Sequence, residues 1–529
     1  MALKYFQAAL PVLFLSAGIG MCEDLGSDLS QETTWIAPGE TASFEMDATP
    51  GTYVRGRLHS LGHPFDLSLT DKTGMHVRRL LDDNTGAGQF HVVIGEQGQQ
   101  FRALNDGDVG AEVTLEIERI VPPDEQIGNA KSYLSPIIAA LSDGGDTAEF
   151  WAARAVQGTP MVEPSTRDGQ IITTFLWRGA EKNVRLWGGP AADHMWMDRL
   201  GDTDVWYISF EMPDSGRLSY GFSPDVPQFD GSMRENRVAL LATLQADPLN
   251  KTPIYSEAPD QWAQRSLFEA PNAPVQPGMD GQGDFAEGTI EPGLLRSDAF
   301  SDRRVDYYRP ADFDANDPNT VLLVMFDGPA YQTERAPIPQ ILDRLIADSR
   351  LPQVAVAFID PVDGDQRGVD LTCNPEFLDV LANDWLPQVE STLKIAPTAA
   401  QRVVSGSSYG GLASACLVHR HPETFGNAVV LSGSFWWAPQ GYEGQGTPYV
   451  SALWMDNAPK DVRIWMSAGI YEISRLPGSV SIFETTRHLR DVLTLQGIKD
   501  VTYREFVGGH DYLVWRGALA EGLLHLFGD

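Results

Sequence analysis

Cysteine is nearly absent, with three in 529 residues, at positions 22, 373 and 416. So few cannot staple a disulfide-built fold, and neither Cys373 nor Cys416 has a second cysteine nearby, so no metal site is expected. Cys373 and Cys416 are able to pair in an oxidising compartment, but their spacing does not establish it. Positive charge is scarce too. Lys and Arg number 39 against 72 Asp and Glu, a net charge of −33. A phosphate backbone would be repelled, which excludes general nucleic-acid binding, and the acidity reads as a solvated surface. Long apolar runs are missing beyond the amino terminus, so no transmembrane span is expected. The apolar run that exists, from Ala8 to Ile19, follows Lys4 and precedes small residues and Cys22. It is too short to cross a bilayer and reads as a signal peptide over 1–22, implying a periplasmic or secreted protein. Lipid attachment at Cys22 is the alternative, against which Met21 counts.

What is present is a globular composition, 43% hydrophobic and 10% aromatic, long enough for two to four domains. Residues 33–121 read as short strands between turns. In Val113-Thr114-Leu115-Glu116-Ile117-Glu118 every second residue is apolar, as a half-buried strand requires. This predicts an accessory β-sandwich. After Pro122-Pro123 come two helices, at Ser132–Leu141 and Thr147–Gln157, then strands again, predicting a second sandwich over 130–250. Residues 251–287, rich in Pro, Gly, Gln and Asp, read as a linker or lid. From 288 to 529 strands and helices alternate, which predicts an α/β-hydrolase fold, a mainly parallel sheet with helices on both faces. Its helices are expected at Ile338–Ala347, Pro375–Leu393, Tyr409–Arg420, Ser481–Gln496 and Tyr512–Phe527.

Chemistry concentrates at Gly406-Ser407-Ser408-Tyr409-Gly410, between the β-branched run at 403–404 and a small-residue helix. This is the G-x-S-x-G elbow, a tight strand-to-helix turn that exposes a serine hydroxyl, while the N–H of Tyr409 faces a developing oxyanion. A serine nucleophile needs a base, and the base needs an orienting acid. Of the histidines that follow, His419 and His421 end the elbow's own helix, and His488 and His525 sit within later helices. His510 occupies the loop Gly508-Gly509-His510-Asp511 between the last strand and last helix, over the sheet's carboxyl edge. Glu472, just past the preceding strand, is the candidate acid, although some serine hydrolases work with a Ser-His pair. A second oxyanion donor is expected after an early strand, at Asp327-Gly328-Pro329-Ala330. Pro329 has no N–H, so Gly328 or Ala330 supplies it. In the second sandwich, His194 and Trp196 sit on a loop able to face a ligand.

From about Gly158 to the end, further segments match a known family. They include Gly158-Thr159-Pro160, Asp202–Trp206, Asp247-Pro248-Leu249-Asn250, Leu323–Gly328, Cys373–Phe377, Ser432–Trp437, Ala468–Glu472 and Gly508–Gly517. On these and the elbow, the chain resembles the enterochelin (enterobactin) esterases, α/β-hydrolases with an amino-terminal sandwich. Residues 33–121 lie outside the resemblance. The likeness implies hydrolysis of the ester bonds of a ferric catecholate siderophore trilactone, with no cofactor. It implies that Ser408 attacks, His510 carries the proton and Glu472 takes the acid's place. Arg367 matches an arginine facing the ferric catecholate. An anionic ligand on an acidic protein calls for a cationic lining, for which Arg335, Arg367, Arg475 and Arg516 are candidates. Trp436 and Trp437 are candidates to stack on catechol rings. Pro329-Ala330-Tyr331 departs from the aromatic pair the family tends to carry after its Asp-Gly. Two other functions compete: an exported acyl or feruloyl carbohydrate esterase, and an inactive secreted protein that binds a siderophore or glycan. The intact Ser408, His510 and Glu472 set argues against the last.

Overall fold

The computed structural model describes residues 30–95, 99–126, 132–191, 194–255, 257–279, 285–444, 446–473 and 480–528. The signal-peptide reading of 1–22, with Cys22, and the candidate Arg475 lie outside the described residues. The chain forms two compact units, residues 1–131 and 132–529. Among the described residues no helix is long and apolar enough to cross a membrane.

The first unit pairs two four-stranded antiparallel sheets. Alternation along Ala111–Val121 sends Ala111, Val113, Leu115 and Ile117 inward. They join Phe44, Phe65, Phe90 and Phe101 in one core, as a sandwich of period-two strands must.

The second unit opens with helices Pro136–Ser142 and Thr147–Gln157, followed by four- and five-stranded antiparallel sheets. Residues 251–287, expected as a linker, are in part structural. Pro253–Ile254 and Arg265–Glu269 complete the five-stranded sheet, the latter against Arg217–Pro224. Ser266 and Phe268 are buried there, so this segment is held by backbone pairing that its Pro- and Gln-rich composition hides.

The hydrolase part has an eight-stranded sheet. Its strands are β1 (Thr289–Leu295), β2 (Arg303–Arg309), β3 (Val321–Met325), β4 (Val354–Ile359), β5 (Arg402–Ser407), β6 (Asn427–Leu431), β7 (Arg463–Gly469) and β8 (Asp500–Phe506). Their order is β1-β2-β4-β3-β5-β6-β7-β8, antiparallel at the first two pairings and parallel from β4 onward. Alternate residues feed opposite layers. Val321, Leu323 and Met325 join one core with helices α1 (Ile338–Ala347) and α4 (Tyr512–Phe527). Leu322, Val324 and Phe326 join the other with α2 (Tyr409–Arg420) and α3 (Ile482–Leu495). Helix α4 is apolar over most of its surface because it is covered on more than one side: Leu519 and Leu523 pack in the sheet's core, while Gln276 bonds the Leu513 carbonyl at 2.6 Å. The helix expected over 375–393 is broken by a π-helical turn at Leu381–Trp385. Pro387 just beyond it has no N–H to give to the preceding turn.

Candidate active site

The end of β5 and the start of α2 leave Ser408 alone between strand and helix, at φ 58 and ψ −118. A serine there is strained, and the surroundings hold it. A Cβ at Gly406 would lie 2.8 Å from the Cα of Gly410, and one at Gly411 2.9 Å from the Cα of Gly433. The chain can thus turn this sharply only without side chains at these contacts. The Ser408 hydroxyl shares a hydrogen bond with Ser434 Oγ at 3.1 Å.

Across the carboxyl edge of the sheet, His510 Nδ1 meets Glu472 Oε1 at 2.5 Å. A carboxylate only accepts, so Nδ1 carries the proton and Nε2 presents its lone pair. Glu472 is itself fixed, its other oxygen accepting from Ser432 Oγ at 2.8 Å and from the Gly469 N–H at 2.6 Å. Ser432 Oγ in turn accepts from the Trp515 indole at 2.9 Å, and Trp515 meets the His510 ring edge-on at 4.7 Å. The remaining histidines of this part are spent elsewhere: His419 on the Asn457 carbonyl, His421 on Asp379, His488 on Ser451 and His525 on Asp500.

Ser408, Ser434, Glu472 and His510 line one cavity of about 570 Å³. One wall comes from the hydrolase part, including Trp436, Tyr471 and Ile473, and the other from the second sandwich, including Trp187, His194 and Leu218. Trp187 and His194 stack at 5.7 Å, nearly parallel at 19°. Burial pushes the Tyr471 phenol up to about 12, so it stays neutral at physiological pH.

Comparison with known proteins finds the same two-part organisation. Residues 172–279 match the enterochelin esterase N-terminal family and residues 299–526 the putative esterase family. The iron(III) enterobactin esterase of Escherichia coli K12 is 28% identical over 383 residues, covering 68% of this chain and 92% of that protein. The corresponding enzyme of Dickeya dadantii is 27% identical over 428 residues, 73% of this chain and 95% of its own length. The crystal structure of ferric enterobactin esterase from Salmonella typhimurium superposes with a TM-score of 0.57 at 27% identity, covering 72% of this chain and 98% of that one. That of the Shigella flexneri enterobactin esterase in the presence of enterobactin gives 0.56 at 27%, covering 72% and 97%. From residue 172 to residue 526 this chain is similar, in sequence and in fold, to the enterochelin esterases. Its first unit lies outside both matched segments.

Within this enterochelin esterase framework the expected substrate residues separate. Arg335 and Trp436 line the cavity; Arg367, Arg516 and Trp437 do not. Arg367 grips Asp327 with two bonds, at 2.6 and 2.7 Å, and reaches the Ser407 carbonyl at 3.3 Å. Burial works against its charge, and the Asp327 carboxylate more than offsets that, holding the guanidinium's pKa above its usual value. Arg516 is buried under Gln276, bonding its amide oxygen at 2.7 Å, and Trp437 packs edge-on against Tyr449. Arg335 is itself paired with Asp511 at 2.7 Å. In the second sandwich His194 does line the cavity, whereas Trp196 lies under the Arg185 guanidinium instead. The Ala330 N–H is spent on the Asp327 carbonyl at 3.0 Å, which corrects its candidacy as an oxyanion donor and leaves Gly328 from that loop.

Several supporting residues escaped sequence reasoning. Ser434 and Ser432 sit just after β6, beside the nucleophile's strand, in a Ser-Gly-Ser that carried a signal of position but none of role. Trp515, within Gly508–Gly517, likewise carried position but no role, and Ser219 and Trp187 carried none. Cys373 and Cys416 form a disulfide that joins the turn before residue 374 to helix α2. Among the described residues no cluster of three His, Cys, Asp or Glu could hold a metal.

Proposed function

We propose that this protein is a serine esterase that opens the ester bonds of a catecholate siderophore trilactone of the enterobactin type, the ferric complex being substrate cargo. The observation carrying the reading is the His510–Glu472 contact of 2.5 Å over the cavity into which the strained Ser408 projects. Ser408 exchanges its Ser434 bond for one to Nε2 of His510 and attacks a lactone carbonyl as the imidazole takes its proton. The imidazolium that forms is stabilised by Glu472. The oxyanion is held by the N–H of Tyr409, at the positive end of α2, and by that of Gly328. The intermediate collapses by expelling the neighbouring seryl alkoxide, which recovers the proton from His510. Water, activated by the same imidazole, then releases the acyl group and restores Ser408. Trp436 on one wall, with Trp187 and His194 on the other, supplies aromatic faces for catechol rings.

Export is part of this reading. The amino-terminal basic-apolar-small pattern supports it, and so does the Cys373–Cys416 disulfide, which suits an oxidising compartment.

The decisive assay compares wild type and Ser408→Ala on a p-nitrophenyl ester and on iron-free and ferric trilactone, with a feruloyl oligosaccharide alongside. The expected result is trilactone cleavage that falls by about 10³-fold or more in the variant. Equal rates would remove the serine mechanism, and turnover of the feruloyl ester alone would move the assignment to carbohydrate esters.

A further inference from the structure

His510 sits on a short loop, with its side chain 37% exposed, yet catalysis needs the ring held to a fraction of an ångström. The loop has two restraints. On one side it runs along the acid's loop, where the Tyr471 N–H donates to the Gly508 carbonyl at 3.1 Å. On the other it meets the second sandwich. The Arg217 N–H donates to the Val507 carbonyl at 3.0 Å, and two residues along the same strand stands Ser219.

Ser219 bonds Asp511, the residue directly after the histidine. One oxygen of the buried Asp511 carboxylate accepts the Ser219 N–H at 2.8 Å and also the Ser219 hydroxyl. The other oxygen accepts from Arg335 at 2.7 Å and caps α4 through the Leu513 N–H at 2.9 Å. Arg335 closes the ring by donating to Ser219 Oγ at 2.9 Å. A carboxylate so surrounded has little freedom, and the peptide link passes that restraint to His510. The contact joins residues 292 positions apart, so nothing local in the histidine's loop provides it.

We propose that Ser219 is a positioning residue for His510: through Asp511, the second sandwich sets the imidazole against Ser408 and Glu472, so this domain contributes to turnover as well as to the cavity wall. The inference rests on the serine-esterase reading but not on the identity of the ester.

Ser219 also lines the cavity, so the test must separate positioning from binding. Ser219→Ala and Ser219→Thr are assayed in the full chain on a p-nitrophenyl ester, too small to need the sandwich wall, and on the trilactone. Positioning lowers kcat by about the same factor, on the order of tenfold, for both substrates, with KM within twofold; the hydroxyl of Ser219→Thr recovers most of it. Because the hydroxyl acts through Asp511, adding Ser219→Ala to Asp511→Ala produces no further loss of kcat. Unchanged kcat in Ser219→Ala, or a KM rise confined to the trilactone, overturns the proposal, and so does full additivity with Asp511→Ala. Should the trilactone not turn over while the p-nitrophenyl ester does, the siderophore assignment falls and the small ester still decides this question.

Discussion

Arg367 offers the sharpest test of how this site is built, because two roles for it predict opposite kinetics. As a siderophore ligand it would set KM. In the structure its guanidinium instead closes on Asp327 with two short bonds, touches the Ser407 carbonyl and lies 5.6 Å over the Tyr409 ring. It therefore ties the loop carrying Gly328 to the elbow carrying Tyr409, the two expected sources of oxyanion donors. Arg367→Ala leaves the Asp327 carboxylate, 5% exposed, without its counter-charge. Breaking a buried pair from one side costs about 3–5 kcal/mol. The arginine side chain is 25% exposed, so water recovers part of the loss and the lower end, about 3 kcal/mol, applies. Spread over the melting entropy of the second unit, that is a fall in Tm of roughly 4 °C. Displacing an oxyanion donor costs about 10²-fold in kcat, with KM nearly unchanged. Arg367→Leu combined with Asp327→Asn removes both charges and should recover most of the stability but none of the turnover. Thermal melts and steady-state kinetics on a p-nitrophenyl ester and the trilactone read out each quantity. A large rise in KM with kcat intact, or a stability loss below about 1 kcal/mol, would refute the clamp.

Three further outcomes are expected. Glu472→Gln keeps the shape of the acid but loses the charge that fixes the imidazole tautomer, so kcat should fall by about 10²–10⁴-fold with the fold intact by circular dichroism. Reducing the Cys373–Cys416 disulfide, which closes a loop of 43 positions, should cost about 2–4 kcal/mol in denaturant titrations; identical midpoints with and without reductant would show that the bond is absent in solution. Burial works to raise the pKa of Asp511, and the Arg335 charge with the bonds from Ser219 and Leu513 outweighs it, leaving the carboxyl below its usual value. Its stabilising contribution is therefore full above the unfolded value near pH 4 and lost as pH falls through the lower folded value. Wild type should weaken through that acid range while Asp511→Asn shows a flatter profile there; parallel curves would contradict the assignment.

The hydrolase part was readable because its chemistry is local. The alternation of strands and helices places α1, α2 and α4 at the bounds the structure shows, and the glycines around Ser408 announce a tight turn. The order serine, acid, histidine narrows five late histidines to His510 and the acids to Glu472, since each must stand at the carboxyl end of a strand. What could not be read this way depends on contacts between distant segments. Composition marks 251–287 as loose, yet Arg265–Glu269 is a sheet strand because Arg217–Pro224 offers it a partner. Charge type nominates four arginines for an anionic ligand. Where the guanidinium points in the three described ones is decided by the carboxylate or amide beside it, Asp327 for Arg367, Asp511 for Arg335 and Gln276 for Arg516. A sequence thus determines which groups can react, through backbone rules that act over a few residues. Which of them face the substrate, and which are spent holding the others still, is settled by tertiary packing, because a charge removed from water must find its partner wherever the fold has put one.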